Sequence, residues 1–145
     1  MAKTTVADTV VLLDDELYNM TWMMDYLYSK GLNIMPASSA NEALDLINDQ
    51  IYRAAIIDLN VPLLPPLEEA ALALGAAYVK YPGLFVARQA RNKGYRGRQV
   101  VIYSVHRDAE VTEEARKLGC TYILKGRPKE IKAELESVLS FDPTS

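Results

Sequence analysis

Four apolar runs in this chain each finish on a charged or hydroxyl-bearing side chain, and that repetition restricts the fold more than any other feature. The runs are TVVLLDDE, AAIIDLN, VVIYSV and YILKG. Their β-branched and leucine content, without polar alternation, reads as strands buried on both faces, the signature of a parallel sheet. Between them the periodicity changes to helical. Strands are expected over residues 8–14, 52–58, 99–104 and 121–125, with LNIMPAS as a further short strand. After the first strand, Leu17, Met20, Met24 and Leu27 form a stripe that ends at Gly31. Ser39 and Glu42 make a capping box opening the helix ANEALDLIND. Val111, Ala115 and Leu118 form another stripe closed by Gly119, and Pro128 opens a last helix that buries Ile131, Leu135, Val138 and Leu139. Alternation of this kind predicts helices on both faces of a parallel sheet.

One stretch breaks the alternation. Residues 59–98 are too many for one helix and two short loops. VPLLPP is stiffened by its prolines. LEEAALALGAAYVK then reads as one helix, with Glu68 and Glu69 at its start and Lys80 at its end complementing the helix dipole. GLFVARQARNKG reads as a second, capped by Gly94. The first of these is alanine and leucine nearly all round, so a face of it is covered, either by its own domain or by a partner, a second copy of the chain included.

In an open α/β sheet, chemistry gathers at the carboxyl ends of the strands. Those ends here carry Asp14, Asp15, Asp58, Ser104 and Lys125. One of the adjacent aspartates, Asp58 and a backbone carbonyl near Asn60 supply the oxygen ligands that a hard cation such as Mg2+ requires. Crowded carboxylates repel, and a cation or the Lys125 ammonium relieves the repulsion. Asp58 is the best-placed nucleophile, since a carboxylate can accept a phosphoryl group as an acyl phosphate. Lys125 and Ser104 would then hold phosphoryl oxygens.

The motifs LLDDE, IIDLNVP, VVIYS and TYILKG, in that order, resemble the response-regulator receiver domains of two-component signalling, and the resemblance covers about residues 8–140. It implies a flavodoxin-like, doubly wound five-stranded parallel sheet with helices on both faces and an extra helix inserted after the third strand, over about residues 61–82 of a single domain spanning 1–145. It implies that Asp58 is phosphorylated by a histidine kinase, a phosphotransfer protein or acetyl phosphate. Asp14, Asp15, Asp58 and the Asn60 carbonyl would bind Mg2+. Ser104 would swing towards the phosphoryl group, and Tyr122, three residues before Lys125, occupies the family's aromatic switch position, although a static place at the rim of the core suits a strand tyrosine equally. Trp22, Met23 and Tyr26, read as lying opposite the core stripe of the first helix, are candidates for kinase docking. The chain would catalyse nothing beyond its own Mg2+-dependent phosphorylation and dephosphorylation. With no output domain after the last helix, it would signal by altered binding to a target protein.

The chain departs from the family at Gly126, where a proline usually follows the lysine. Glycine does not enforce a backbone angle, so the loop that aims Lys125 is expected to be looser. Val105, bulkier than the usual alanine, is expected to hinder attacking water and slow dephosphorylation. Gly126 and the insertion keep open a phosphorylation-independent pseudo-receiver. A phosphatase of the haloacid-dehalogenase type uses the same ingredients, but with its nucleophile early and its acidic pair late, the reverse of the order here. His106 is read as capping or beginning the helix after the fourth strand, without chemistry, and Cys120 as a small buried residue.

A net charge of −3 without a basic cluster gives no reason to expect nucleic-acid binding. MAKTTVADT lacks the apolar core of a signal peptide, and no stretch approaches the roughly 20 apolar residues of a membrane span. With one cysteine, unable to form an internal disulfide, these features predict a cytoplasmic protein.

Overall fold

Burial on both faces demands apolar side chains in both alternating sets of each central strand, and the chain supplies them. In a computed structural model, which describes residues 4–106, 108–126 and 128–140, β1 (Val6–Leu13), β2 (Asn33–Ala37), β3 (Tyr52–Ile57), β4 (Val100–Ser104) and β5 (Thr121–Leu124) form one parallel sheet in the order β2-β1-β3-β4-β5. Val11, Leu13, Ala55, Ile57, Val100 and Ile102 face one layer. Val10, Leu12, Ala54, Ile56, Val101 and Tyr103 face the other. The first layer holds α2 (Ala40–Asp49), α5 (Pro82–Lys93) and α6 (Ala109–Leu118), and the second holds α1 (Thr21–Ser29) and α7 (Pro128–Ser140). This is the doubly wound, flavodoxin-like sheet expected from the sequence. The chain leaves β1 in one direction for β2 and returns to its other side for β3. That reversal opens a crevice at the carboxyl ends of β1 and β3.

Ser39 caps α2 as expected, its hydroxyl accepting from the Glu42 N–H at 3.1 Å. The reciprocal arm of the box differs: the Glu42 carboxylate accepts from the N–H and hydroxyl of Ser38. Ser39→Ala is expected to cost about 1 kcal/mol of stability, measured by urea unfolding.

The first helix departs from its expected phase. Met23 lies in the core, not opposite it, and Met24, expected in the stripe, is only half-buried. A 3-10 turn over Leu17–Met20 precedes α1. Met23 follows Met20 by three residues and precedes Leu27 by four, so ordinary helical spacing puts all three on the buried face. Placing Met23 opposite the stripe mistook its side of the helix. Trp22 and Tyr26 are half-buried, and Tyr18 is 75% exposed. Of the last-helix core, Ile131, Leu135 and Val138 are buried while Leu139 is half-buried.

The stretch read as a single inserted helix is two. Gly75, at φ 146°, separates α3 (Leu67–Leu74) from α4 (Ala76–Lys80). Leu67, Ala71 and Tyr78 pack on the core of their own domain, while Leu64 and Leu72 remain exposed. Beneath them α5 buries every residue from Pro82 to Ala87. The insertion therefore adds a partial third layer on one side. Among the described residues no helix is long and apolar enough to cross a membrane.

Candidate functional site

Strand register brings the acidic residues together. Leu13 pairs with Ile57 across β1 and β3, so Asp14 and Asp58, each one residue beyond its strand, emerge side by side. Both stay anchored by the ladder: Asp14 N–H donates to Ala37 O at 3.1 Å, and Asp58 N–H to Leu13 O at 2.9 Å. An Asp14 carboxylate oxygen also accepts from Glu16 N–H at 2.8 Å, fixing its rotamer. Asp14 and Asp58 are buried, Asp15 is exposed, and a carboxylate oxygen from each lies within 4.8 Å of the other two.

Lys125 reaches this cluster from β5. Its Nζ is 3.2 Å from Asp58 Oδ1 and 3.8 Å from Asp14 Oδ2. Lys125 N–H donates to Ser104 O at 2.9 Å, which carries the β4–β5 ladder one residue past the strand and orients the lysine stem. Gly126 follows at φ 111°. The ammonium lies 5.0 Å from the centre of the Tyr103 ring, a cation–π contact. Tyr103 in turn meets Trp22 edge to face at 6.3 Å.

Burial pushes the Asp58 carboxyl above its usual range, Lys125 opposes that shift, and Asp14 and then Asp15 reinforce it. With every group ionised, three carboxylates face one ammonium, and net negative charge remains. The donor set is all oxygen, partly buried and electron-rich, which fits Mg2+ and does not fit a soft metal.

Ser104 is 1% exposed, and its hydroxyl accepts from His106 N–H at 3.0 Å. Tyr122 is half-buried and donates to His106 O at 2.7 Å. Burial raises its phenol, with the Ser104 hydroxyl opposing. His106 does not cap α6, as expected from its position, because Asp108 occupies the N-cap. Its ring accepts at Nε2 from the Asn60 side-chain amide at 2.7 Å, and stands edge to face with Tyr81 at 5.0 Å. Asn60, two residues beyond Asp58, is exposed at the same mouth, as is Val105 at 63%. Cys120 is partly buried, and burial pushes its thiol up to about 11.

Three neighbours of the site were not singled out from sequence. Tyr103 and Tyr81 could not have been, since their contacts join distant segments. Gly83 carried a signal: a glycine directly after a helix-opening proline sits where almost any other residue would make a better helix. Its N–H donates to Leu59 O at 3.0 Å, and a Cβ there would lie 2.1 Å from the Asp58 carbonyl oxygen. Only glycine lets α5 rest against the backbone at this point, directly under the Asp58 strand end.

No family model matches the sequence, and no curated protein does. Solved structures do match the fold. The non-phosphorylated HemR receiver domain of Leptospira biflexa superimposes with a TM-score of 0.71 at 18% identity, covering 92% of this chain and 94% of that one. A CheY-like response regulator receiver domain of Methanospirillum hungatei gives 0.69 at 16% identity, covering 91% and 93%. A CheY of Borrelia burgdorferi, solved with CheX, BeF3 and magnesium, gives 0.69 at 17% identity, covering 94% and 92%. The fold is that of a response-regulator receiver domain. Within that receiver fold, the carboxylates and the lysine converge at the switch-point crevice, and the insertion beside them packs against α5 and α6.

Proposed function

We propose that this chain is a phosphoacceptor of two-component signalling, with Asp58 receiving a phosphoryl group from a histidine kinase, a phosphotransfer protein or acetyl phosphate. The observation that carries the reading is the convergence of three carboxylates and the Lys125 ammonium at one crevice, 3.2 Å separating Lys125 Nζ from Asp58 Oδ1. An Asp58 oxygen attacks phosphorus, the P–N bond of a phosphohistidine or the P–O bond of acetyl phosphate breaks, and the electron pair leaves with imidazole or acetate. Asp14, Asp15 and Asp58, with the Asn60 carbonyl, would hold Mg2+, which when bound supplies positive charge against the phosphoryl oxygens. Lys125 supplies a second positive charge from the other side and neutralises developing negative charge without reorganising.

The switch follows from the hydrogen bonds at residue 106. Ser104 is tied to His106 N–H, and Tyr122 to His106 O. An acyl phosphate offers strong acceptors at Asp58, and the conformer in which Ser104 donates to them gains population. Tyr122 then takes a new position, and the surface offered to a target protein changes. Phosphorylation thus acts through protein binding, not through turnover of a substrate.

Backbone amide NMR with Mg2+ and then beryllofluoride, an acyl-phosphate mimic, tests this. Mg2+-dependent shifts at Asp14, Asp15 and Asp58, extending to Ser104 and Tyr122 once beryllofluoride is added, are the expected result. A spectrum unmoved by both ligands would defeat the reading and leave a phosphorylation-independent interaction module.

A further inference from the structure

The insertion is fastened at both ends. Near its start, the Asn41 side chain on α2 accepts from Leu64 N–H at 2.8 Å and donates to Leu64 O at 3.1 Å. At its far end three side chains lace it to α6. Tyr78 hydroxyl donates to Glu114 at 3.0 Å, Lys80 Nζ lies 3.7 Å from Glu110, and Tyr81 hydroxyl donates to Asp108 at 2.8 Å. Tyr78 and Tyr81 are each 3% exposed, while their acceptors reach the surface, Glu114 half-buried and Asp108 exposed. Arg88 of α5 also donates to the Tyr78 hydroxyl at 3.2 Å. The chain thus bridges α2 and α6 across the outside of α5.

The last of those links touches the switch. Asp108 occupies the N-cap position of α6 two residues after His106, and the Tyr81 ring stands against the His106 ring. His106 contacts Asn60 through its ring, Ser104 through its N–H and Tyr122 through its carbonyl. Residues 104–106 and 108 therefore lie between the acidic site on one side and the insertion on the other. A movement of Ser104 towards Asp58 draws on the His106 N–H, and a shift of residue 106 acts on the Tyr81 ring it contacts.

We propose that α3 and α4 form a strap whose hold on α6 depends on the state of Asp58, the Tyr81–Asp108 hydrogen bond being the link that opens when the site is phosphorylated. The inference rests on the phosphoacceptor reading, and extends it by assigning the read-out to the inserted segment. Opening the link frees the α4 side of a groove of about 790 Å3 between the strap and α6, lined by Leu74, Ala77, Tyr78, Glu110, Glu113 and Glu114 among others. Tyr81 is a positioning residue in this scheme. It touches no phosphoryl group and acts through His106 and Asp108.

Coupling of this kind is reciprocal: if an acyl phosphate loosens the strap, a loosened strap favours the acyl phosphate. Tyr81→Phe keeps the ring on His106 and removes only the hydroxyl. It is expected to bind beryllofluoride, in the presence of Mg2+, about fivefold more tightly than the wild type, the net scale of one ordinary hydrogen bond. In wild-type protein, amides of residues 76–81 and 108–114 are expected to shift with beryllofluoride and exchange faster with solvent. A merely structural hydroxyl would lower stability and leave the affinity where it was. If residues 14, 15, 58 and 104 respond while 76–81 stay still, and Tyr81→Phe binds within twofold of wild type, the strap is refuted and the phosphoacceptor reading stands. If nothing in the wild-type spectrum responds, both fall. Should Tyr81→Phe misfold, Asp108→Asn, which suits the same N-cap position and weakens the same bond, must give the same tightening.

Discussion

Gly83→Ala is expected to lower folding stability by about 3 kcal/mol and to displace Asp58, although Gly83 contacts no part of the acidic cluster with a side chain. Overfilling a packed site costs roughly 1–3 kcal/mol where neighbours can yield. The neighbour here is backbone: the new methyl would sit 2.1 Å from the Asp58 carbonyl oxygen and 2.7 Å from the Leu59 Cα. Neither can swing aside as a side-chain tip would. Helix α5 cannot retreat either, because residues 82–87 are buried between the sheet and the inserted helices. The remaining relief is for the end of β3 to move, which weakens the Asp58 N–H bond to Leu13 O and separates Asp58 from Asp14. Two measurements report the two effects. Urea unfolding gives the stability loss, and the increase in Tm produced by Mg2+ should be smaller in the variant than in wild type. A variant as stable as wild type would show that α5 is free to move, contrary to its burial.

The sheet and the acidic site were legible because strands buried on both faces read as unbroken apolar runs, and because Asp14, Asp58, Ser104 and Lys125 each follow or end one of them. Local signals sufficed for Ser39 as the α2 cap and for Gly94 and Gly119, both at positive φ, as helix ends. The burial of Met23 was legible too, since it stands three residues after Met20 and four before Leu27 on the face those two bury, and the expectation that it lies opposite mistook the face. The break at Gly75 was a matter of competing preferences. Alanine and leucine on both sides favour continuation, and packing of Ala71 and Tyr78 on the same core decides against it. The surroundings of His106 depended wholly on distant contacts, with Asn60 and Tyr81 arriving from 46 and 25 positions away in the chain, beyond any periodic pattern.

On the phosphoacceptor reading, Asp58→Asn is expected to abolish phosphoryl acceptance completely and, in Mg2+-free buffer, to make the protein more stable near neutral pH. The loss of acceptance is chemical, because an amide is not a nucleophile towards phosphorus. The gain in stability has an electrostatic cause. Burial first, then Asp14 and Asp15, raises the folded-state pKa of Asp58 above its usual value, with Lys125 only partly offsetting this. The folded protein therefore holds the Asp58 proton at pH values where the unfolded chain has released it. By linkage, stability falls as pH rises from the ordinary carboxylate range through the raised value, and the penalty stays constant above it. Asparagine never ionises, so the variant escapes that penalty. The difference should be full at neutral pH and should vanish below the ordinary carboxylate range, where the wild-type group is protonated in both states. Mg2+ reverses the ranking by neutralising the wild-type cluster, while the variant keeps fewer anionic ligands and gains less. Thermal melts across pH, with and without Mg2+, check each part. A variant less stable than wild type at neutral pH without Mg2+ would mean that the Lys125 contact outweighs burial and repulsion at Asp58, and that the acidic site holds no electrostatic strain.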